Sequence, residues 1–125
     1  MTTDVLVDLH GVPVLVCAAD GPRLADADSA RDLILAAGQA GADWVCVPVR
    51  RVADEFFALR TGVAGEVVQK FVNYRLPLAI VGDISAHTTG GSAFAGFVHE
   101  SNRGRQLWFA PTQADFEAKL KARSG

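Results

Sequence analysis

The sequence is poor in the residues that carry thiol, metal or redox chemistry. Its two cysteines stand far apart, Cys17 in VLVC and Cys46 in WVCV, and neither belongs to a CxxC pair. Both lie in apolar, strand-like runs, which suits buried free thiols better than a disulfide. The three histidines are scattered, with His10 in a turn, His87 in a loop and His99 on a helix. No HExxH, GxSxG, GxxxxGK[ST] or GxGxxG occurs, and HTTGGSAFAG only imitates a glycine-rich loop. The expectation is therefore no metal, no cofactor and no catalytic residue. Basic excess is missing as well. A net charge of −2 and a pI near 5.8 argue against a nucleic-acid partner. No apolar run approaches the ~18 residues of a membrane span, and MTTDVLVD has no basic region ahead of an apolar stretch. The sequence thus reads as a cytoplasmic protein with no membrane role.

What is present is the material of a globular core. Half of the 125 residues are apolar and 21% are charged, enough for one domain over 1–125 that buries roughly two thirds of its unfolded surface. DVLVDL (4–9) and VPVLVC (12–17) are β-rich runs separated by His10-Gly11, the signature of a tight hairpin with Gly11 at positive φ. Pro13 cannot donate to a ladder, so one of these two strands should lie towards an edge. WVCVPV (44–49), LPLAIVG (76–82) and QLWFA (106–110) are apolar on both faces, as buried parallel strands should be.

Helices fill the intervals. Ala30, Leu33, Ile34 and Ala37 set a helical period over 27–40, stopped by Gly41. RTGVAGEVVQKFVNYR (60–75) carries the apolar stripe Val63, Val67, Phe71 and Tyr74, with Thr61 as the expected N-cap. SAFAGFVHESN (92–102) turns Phe94, Phe97, Val98 and Ser101 inward, and Thr112 with Asp115 caps a last helix held by Phe116 and Leu120. RRVADEFFALR reads as a linker, and DISAHTTGGS (83–92), which has no period, as a mobile loop. The order β-β-α-β-α-β-α-β-α implies an α/β fold. Its mixed five-stranded sheet is an N-terminal hairpin followed by βαβ units, with helices mainly on one face.

Two resemblances arise from these residues. The run FFALRTGVAGEVVQKFVNYRLPLAIVGDIS, with ESNRG at 100–104 ahead of a short apolar strand, resembles the bacterial domain-of-unknown-function family 4180 across nearly the whole chain. That resemblance implies a fold and no agreed activity. More distantly, the element order resembles the STAS domains, small regulators typified by anti-sigma-factor antagonists. Their Asp-Ser-Ser-Gly element, whose second serine is a phosphorylation switch, falls here on Leu59-Arg60-Thr61-Gly62. Thr61 matches the switch hydroxyl and Gly62 the glycine, while Leu59 and Arg60 replace the acid and the first serine.

Candidate sites then fall at two places. At the carboxyl edge of the sheet, Arg50, Arg51, Arg60, Thr61, Asp83 and His87 lie near helix N-termini, where small ligands and anions collect in open α/β sheets. On the helix 60–75, Glu66, Gln69, Lys70 and Asn73 form a polar ridge. Glu66 and Lys70 stand at i, i+4, a pairing worth roughly 0.3–0.5 kcal/mol when exposed. The ridge is either a clip onto the neighbouring helix, which ends in Glu100, Asn102 and Arg103, or a surface for a protein partner or a second copy. The first expectation is a regulatory, partner-binding domain of STAS-like architecture that acts by binding rather than chemistry. The alternative is a small-molecule or anion binder, with an enzyme still open, working at the carboxyl edge.

Overall fold

Two residues close the first strand pair. His10 and Gly11 both take positive φ, 55° and 86°, the twist of a two-residue primed turn. The Gly11 N–H donates to Asp8 Oδ1 at 2.8 Å. The turn joins β1 (Val5–Leu9) to β2 (Val12–Val16), antiparallel and without a bulge, Leu9 opposite Val12 and Val5 opposite Val16. This computed structural model describes residues 4–124. Residues 1–3 and 125, the ends of the expected domain, lie outside the described residues.

The remaining strands are β3 (Trp44–Pro48), β4 (Leu78–Val81) and β5 (Leu107–Ala110), all parallel to β2 in the order β1-β2-β3-β4-β5. Only β1 runs the other way, and it occupies one edge. Pro13 therefore sits in an internal strand, but at its start. The parallel ladder with β3 begins one residue later, at Val14 opposite Trp44, so the missing N–H leaves no gap.

The crossovers are α1 (Ala27–Ala40), α2 (Val63–Asn73) and α4 (Ala93–Arg103), with the single turn α3 (Ser85–Thr88) before the last of them. Successive crossovers in one direction place their helices on one face. The core agrees, since Ala30, Ile34, Val67, Phe71 and Phe94 pack with Leu15, Val45, Val47, Leu78, Ile80 and Phe109. A final helix, α5 (Gln113–Ser124), covers the other face, where Phe116 and Leu120 meet Val14, Trp44, Cys46, Ala79 and Trp108.

Local chemistry sets the helix ends. Asp26 and Ser29 form a reciprocal capping box for α1, and Gly41 ends it at φ 81°. Ser92 accepts the Ala95 N–H at 3.2 Å and Thr112 the Asp115 N–H at 3.1 Å.

Four expectations need correction. Thr61 is not the N-cap of α2. Gly62, at φ 80°, takes that place, because the chain must break sharply between a preceding 3-10 turn and the helix. Tyr74, expected inward, is 56% exposed. It is the C-cap of α2, at φ −95° and ψ 4°, so it has left the helical period that keeps Val67 and Phe71 fully buried. The linker after β3 is folded into three 3-10 turns, Val49–Arg51, Asp54–Phe57 and Leu59–Thr61, which bury Phe56 and Phe57. The segment expected as a mobile loop is also turned. Asp83 Oδ1 accepts the Ser85 N–H at 2.9 Å, and glycines 90 and 91 supply positive φ.

Cys17 packs on the α1 side of the sheet and Cys46 on the α5 side. The sheet separates the two thiols, and both are free and buried. Burial pushes each pKa up to about 12, helped by the charge of Asp4 at Cys17 and of Glu117 at Cys46. Since the thiolate is the reacting species, iodoacetamide at mildly alkaline pH should leave both cysteines unlabelled in the native protein and modify both in denaturant. Labelling of native protein at the rate of an exposed thiol, read by intact mass, would contradict this burial.

Candidate functional site

The carboxyl ends of β2, β3 and β4 carry the loops that hold most of the expected ligand-binding residues. Directly after β3, Arg50 and Arg51 point to different fates. Arg51 is 5% exposed. Its Nη1 pairs with Asp4 Oδ1 at 2.6 Å and also reaches Ala18 O at 3.3 Å, while its Nε donates to Pro22 O at 2.8 Å. Asp4 in turn accepts the Ala18 N–H at 2.9 Å. Through Nη1 and Nε this guanidinium ties the start of β1 to the loop after β2. Gly21 leaves room for it, since a Cβ there would come within about 2.5 Å of the Arg51 Cζ. Burial pushes the Asp4 carboxyl up, but the Arg51 hydrogen bond, the Ala18 N–H and the Arg51 charge together hold it below its ordinary value.

Arg50, by contrast, is exposed on the rim of a depression of about 480 Å³. His87 lines the same depression from the segment after β4. Its ring stacks on Phe57, with centroids 4.1 Å apart and planes 9° from parallel. Arg23, Asp20 and Asp54 complete the polar wall. Among the described residues, neither Arg23 nor Arg50 has a hydrogen-bond or ion-pair partner for its guanidinium.

Of the six residues expected at this edge, the structure therefore brings two together, Arg50 and His87. Asp83 lines a neighbouring depression of about 470 Å³ with Ser85, Thr88, His99 and Asn102. The Ser85 backbone and side chain hold its carboxyl below the ordinary range. Arg60 is exposed and lines neither depression. Thr61 braces the turn ahead of α2, its hydroxyl within 2.7 Å of Glu55 O and 2.8 Å of Ala58 O, and accepting the Val63 N–H at 3.2 Å.

Arg23 and Asp20 were not singled out by the sequence, where ADGPRLAD reads as an ordinary loop, and neither was Asp54, in the segment RRVADEFFALR that reads as a linker. A signal was available. The segment directly follows a strand parallel to β3, so its residues must emerge at the same edge as Arg50.

The ridge on α2 is partly self-contained. Gln69 Nε2 donates to Asn73 Oδ1 at 2.9 Å. Glu66 accepts the Ala27 N–H at 3.3 Å, so its contact is to α1, not to Lys70 or Arg103. The reason is position along the helices. Glu66 lies in the first turn of α2, level with the start of α1, whereas Arg103 ends α4 at the opposite edge. Arg103 instead pairs with Glu100 on its own helix, 3.5 Å away with both side chains exposed, an interaction worth little in solvent. Asn102 is a joint between layers. Its Oδ1 accepts the Phe109 N–H at 2.7 Å and its carbonyl accepts from Lys119 Nζ at 2.6 Å. Among the described residues, no group of three or more His, Cys, Asp or Glu could hold a metal ion.

At the amino edge lies a larger and more open groove of about 780 Å³ between the ends of α1 and α2, lined by Leu35, Gln39, Tyr74 and Arg75 among others. Leu35 is 53% exposed there.

These features describe a mixed α/β domain, hairpin first and then three βαβ crossovers, with a polar depression at the carboxyl edge. The family model described as "Domain of unknown function (DUF4180)" matches residues 9–120, and the chain belongs to that family. Neither the curated proteins nor the solved structures searched gave a match, and the expected STAS-like architecture is not confirmed by them. No helix among the described residues is long and apolar enough to cross a membrane.

Proposed function

We propose that this domain binds a small anionic molecule in the carboxyl-edge depression and does not transform it. The supporting observation is the convergence of Arg23 and Arg50, two guanidiniums without partners among the described residues, beside the His87–Phe57 stack. Guanidinium forks match carboxylate and phosphate oxygens, and the half-exposed imidazole face suits a planar group. Asp20 and Asp54 on the same wall favour a ligand that also carries a hydrogen-bond donor or a positive group. Chemistry has less to stand on, because the hydroxyl beside a carboxylate in these depressions is Ser85 at Asp83, and a carboxyl held below its ordinary pKa range is a poor general base.

The test is calorimetric titration with a panel of small carboxylates and phosphates at low salt, on wild type and on Arg50→Gln. A bound panel member should lose at least about tenfold in affinity in the variant, the scale of one charge-assisted hydrogen bond, while the melting temperature stays put. Failure of every panel member, or equal binding by Arg50→Gln, would remove the proposal.

The regulatory, partner-binding reading over residues 60–73 remains the second proposal. What favours it is that Arg60 and Lys70 have no ion-pair partner among the described residues and lie on one stretch. Its weaker point is that Glu66, Gln69 and Asn73 are already engaged within the chain.

A further inference from the structure

Among the described residues β1 has a strand neighbour on one side only, β2. Which backbone groups of β1 face outward follows from β2. Pro13 O accepts the Asp43 N–H at 2.8 Å and the Cys17 N–H donates to Cys46 O at 2.9 Å. Odd-numbered residues of β2 therefore turn their backbone groups to β3, and Val12, Val14 and Val16 turn theirs to β1. Their partners there are Leu9, Val7 and Val5. The N–H and C=O groups of Leu6 and Asp8 are left pointing away from the sheet.

Edge strands that stay single carry protection, usually a lysine, a proline, a bulge or a covering segment. Val5–Leu9 pairs with β2 in unbroken register and holds no lysine or proline, its one charge being the exposed Asp8. Val5 and Leu6 are 51% and 42% exposed. The strand is also held in place from both ends, by Asp4 on Arg51 and the Ala18 N–H, and by Asp8 on the Gly11 N–H.

We propose that two copies of this chain pair through β1, antiparallel about a two-fold axis at Val7. That register sets Leu6 opposite Asp8 of the second copy, so the four outward N–H groups meet the four outward carbonyls. It also sets Val5 opposite Leu9 and Val7 opposite Val7, an apolar row on the face that α5 only partly covers. Asp8 faces a leucine and never another carboxylate. The backbone edge accepts any extended strand, so the choice of a second copy rests on the side chains, which this register matches as Val5 with Leu9, Val7 with Val7 and Leu6 with Asp8. A pairing of five residues a side falls well below the roughly 20–30 a side of a standard stable interface, so the dimer should be weak and dissociate on dilution.

Sedimentation equilibrium of the full chain over a wide concentration range, with Leu6→Glu and Leu6→Lys, tests the arrangement. Wild type should show a reversible monomer–dimer equilibrium. Leu6→Glu places like charges across the new ladder and should weaken it by about tenfold or more. Leu6→Lys places an ammonium opposite Asp8 and should dimerise at least as well as wild type. A monomeric wild type at all concentrations would overturn the proposal. So would a dimer insensitive to Leu6→Glu, or a Leu6→Lys variant as dissociated as Leu6→Glu. Amide exchange of the wild type needs no variant: Leu6 and Asp8 N–H should gain protection as concentration rises, and fast exchange at every concentration would overturn the pairing.

Discussion

Phe71→Ala should lower the stability of this domain by about 3–5 kcal/mol, the usual range for deleting a buried aromatic ring. Phe71 is fully buried on α2 and packs in the larger core with Val67 beside it. The loss comprises the transfer energy of the ring and the cavity left behind, which neighbours in regular strands and helices close only partly. Domains of this size are stable by about 5–15 kcal/mol, so the variant should sit near the margin of folding. Its melting temperature should fall by roughly 10–20 °C. Tyr74→Ala, three residues along, should change the melt by no more than about 0.5 kcal/mol, because Tyr74 is 56% exposed and truncating an exposed side chain costs little. Urea melts of both variants measure the contrast. A Phe71→Ala protein as stable as wild type would mean that α2 faces the sheet differently.

That pair of residues also shows how far the sequence could be read. The period Val63, Val67, Phe71, Tyr74 is regular, and its first three members behave as the pattern requires. The fourth fails because the helix stops at Asn73, and periodicity alone carries no mark of where a helix ends without a glycine. The following residue, Arg75, turns the chain at φ 54°, a geometry rarely expected of arginine. The parallel strands were legible because WVCVPV and LPLAIVG are apolar on both faces and too short for helices. The segment between β3 and α2 was not. Successive 3-10 turns have no long hydrophobic period, and the burial of Phe56 and Phe57 depends on α2 and α4 packing above them.

The candidate site was legible only at the level of an edge. Arg50 and His87 were placed at the correct end of the strands by topology alone. Their meeting with Arg23 depends on three loops converging, which no local pattern encodes. The partner of Arg51 was the least accessible fact. Asp4 lies 47 positions away, and sequence gives no reason to prefer it over any of the other carboxylates. An arginine after a parallel strand looks the same whether it waits for a ligand or closes the fold.

The distinction has a measurable consequence, because Arg51→Ala should destabilise by about 3 kcal/mol. Removing one partner of a buried pair leaves the other charge uncompensated, which typically costs ~3–5 kcal/mol. The lower end applies because the Asp4 side chain keeps 24% exposure. The carbonyls of Pro22 and Ala18 lose their donor as well. The effect should depend on pH in a defined direction. Burial alone would raise the Asp4 pKa, but the Arg51 hydrogen bond, the Ala18 N–H and the Arg51 charge overcome it and hold the folded value below the ordinary 3.8. A carboxyl with a depressed folded pKa contributes its full stability above the unfolded value and loses it as pH falls through the folded one. Wild type should therefore lose this contribution only below about pH 4, and the gap between wild type and Arg51→Ala should narrow over the same range. Asp4→Asn should lack that acid-dependent component while retaining a neutral acceptor for the Ala18 N–H. Denaturant melts at stepped pH measure all three proteins. A gap that stays constant into acid, or an Arg51→Ala protein as stable as wild type at neutral pH, would show that the ion pair does not hold the start of β1 in place and would return Arg51 to the surface as a candidate for ligand binding.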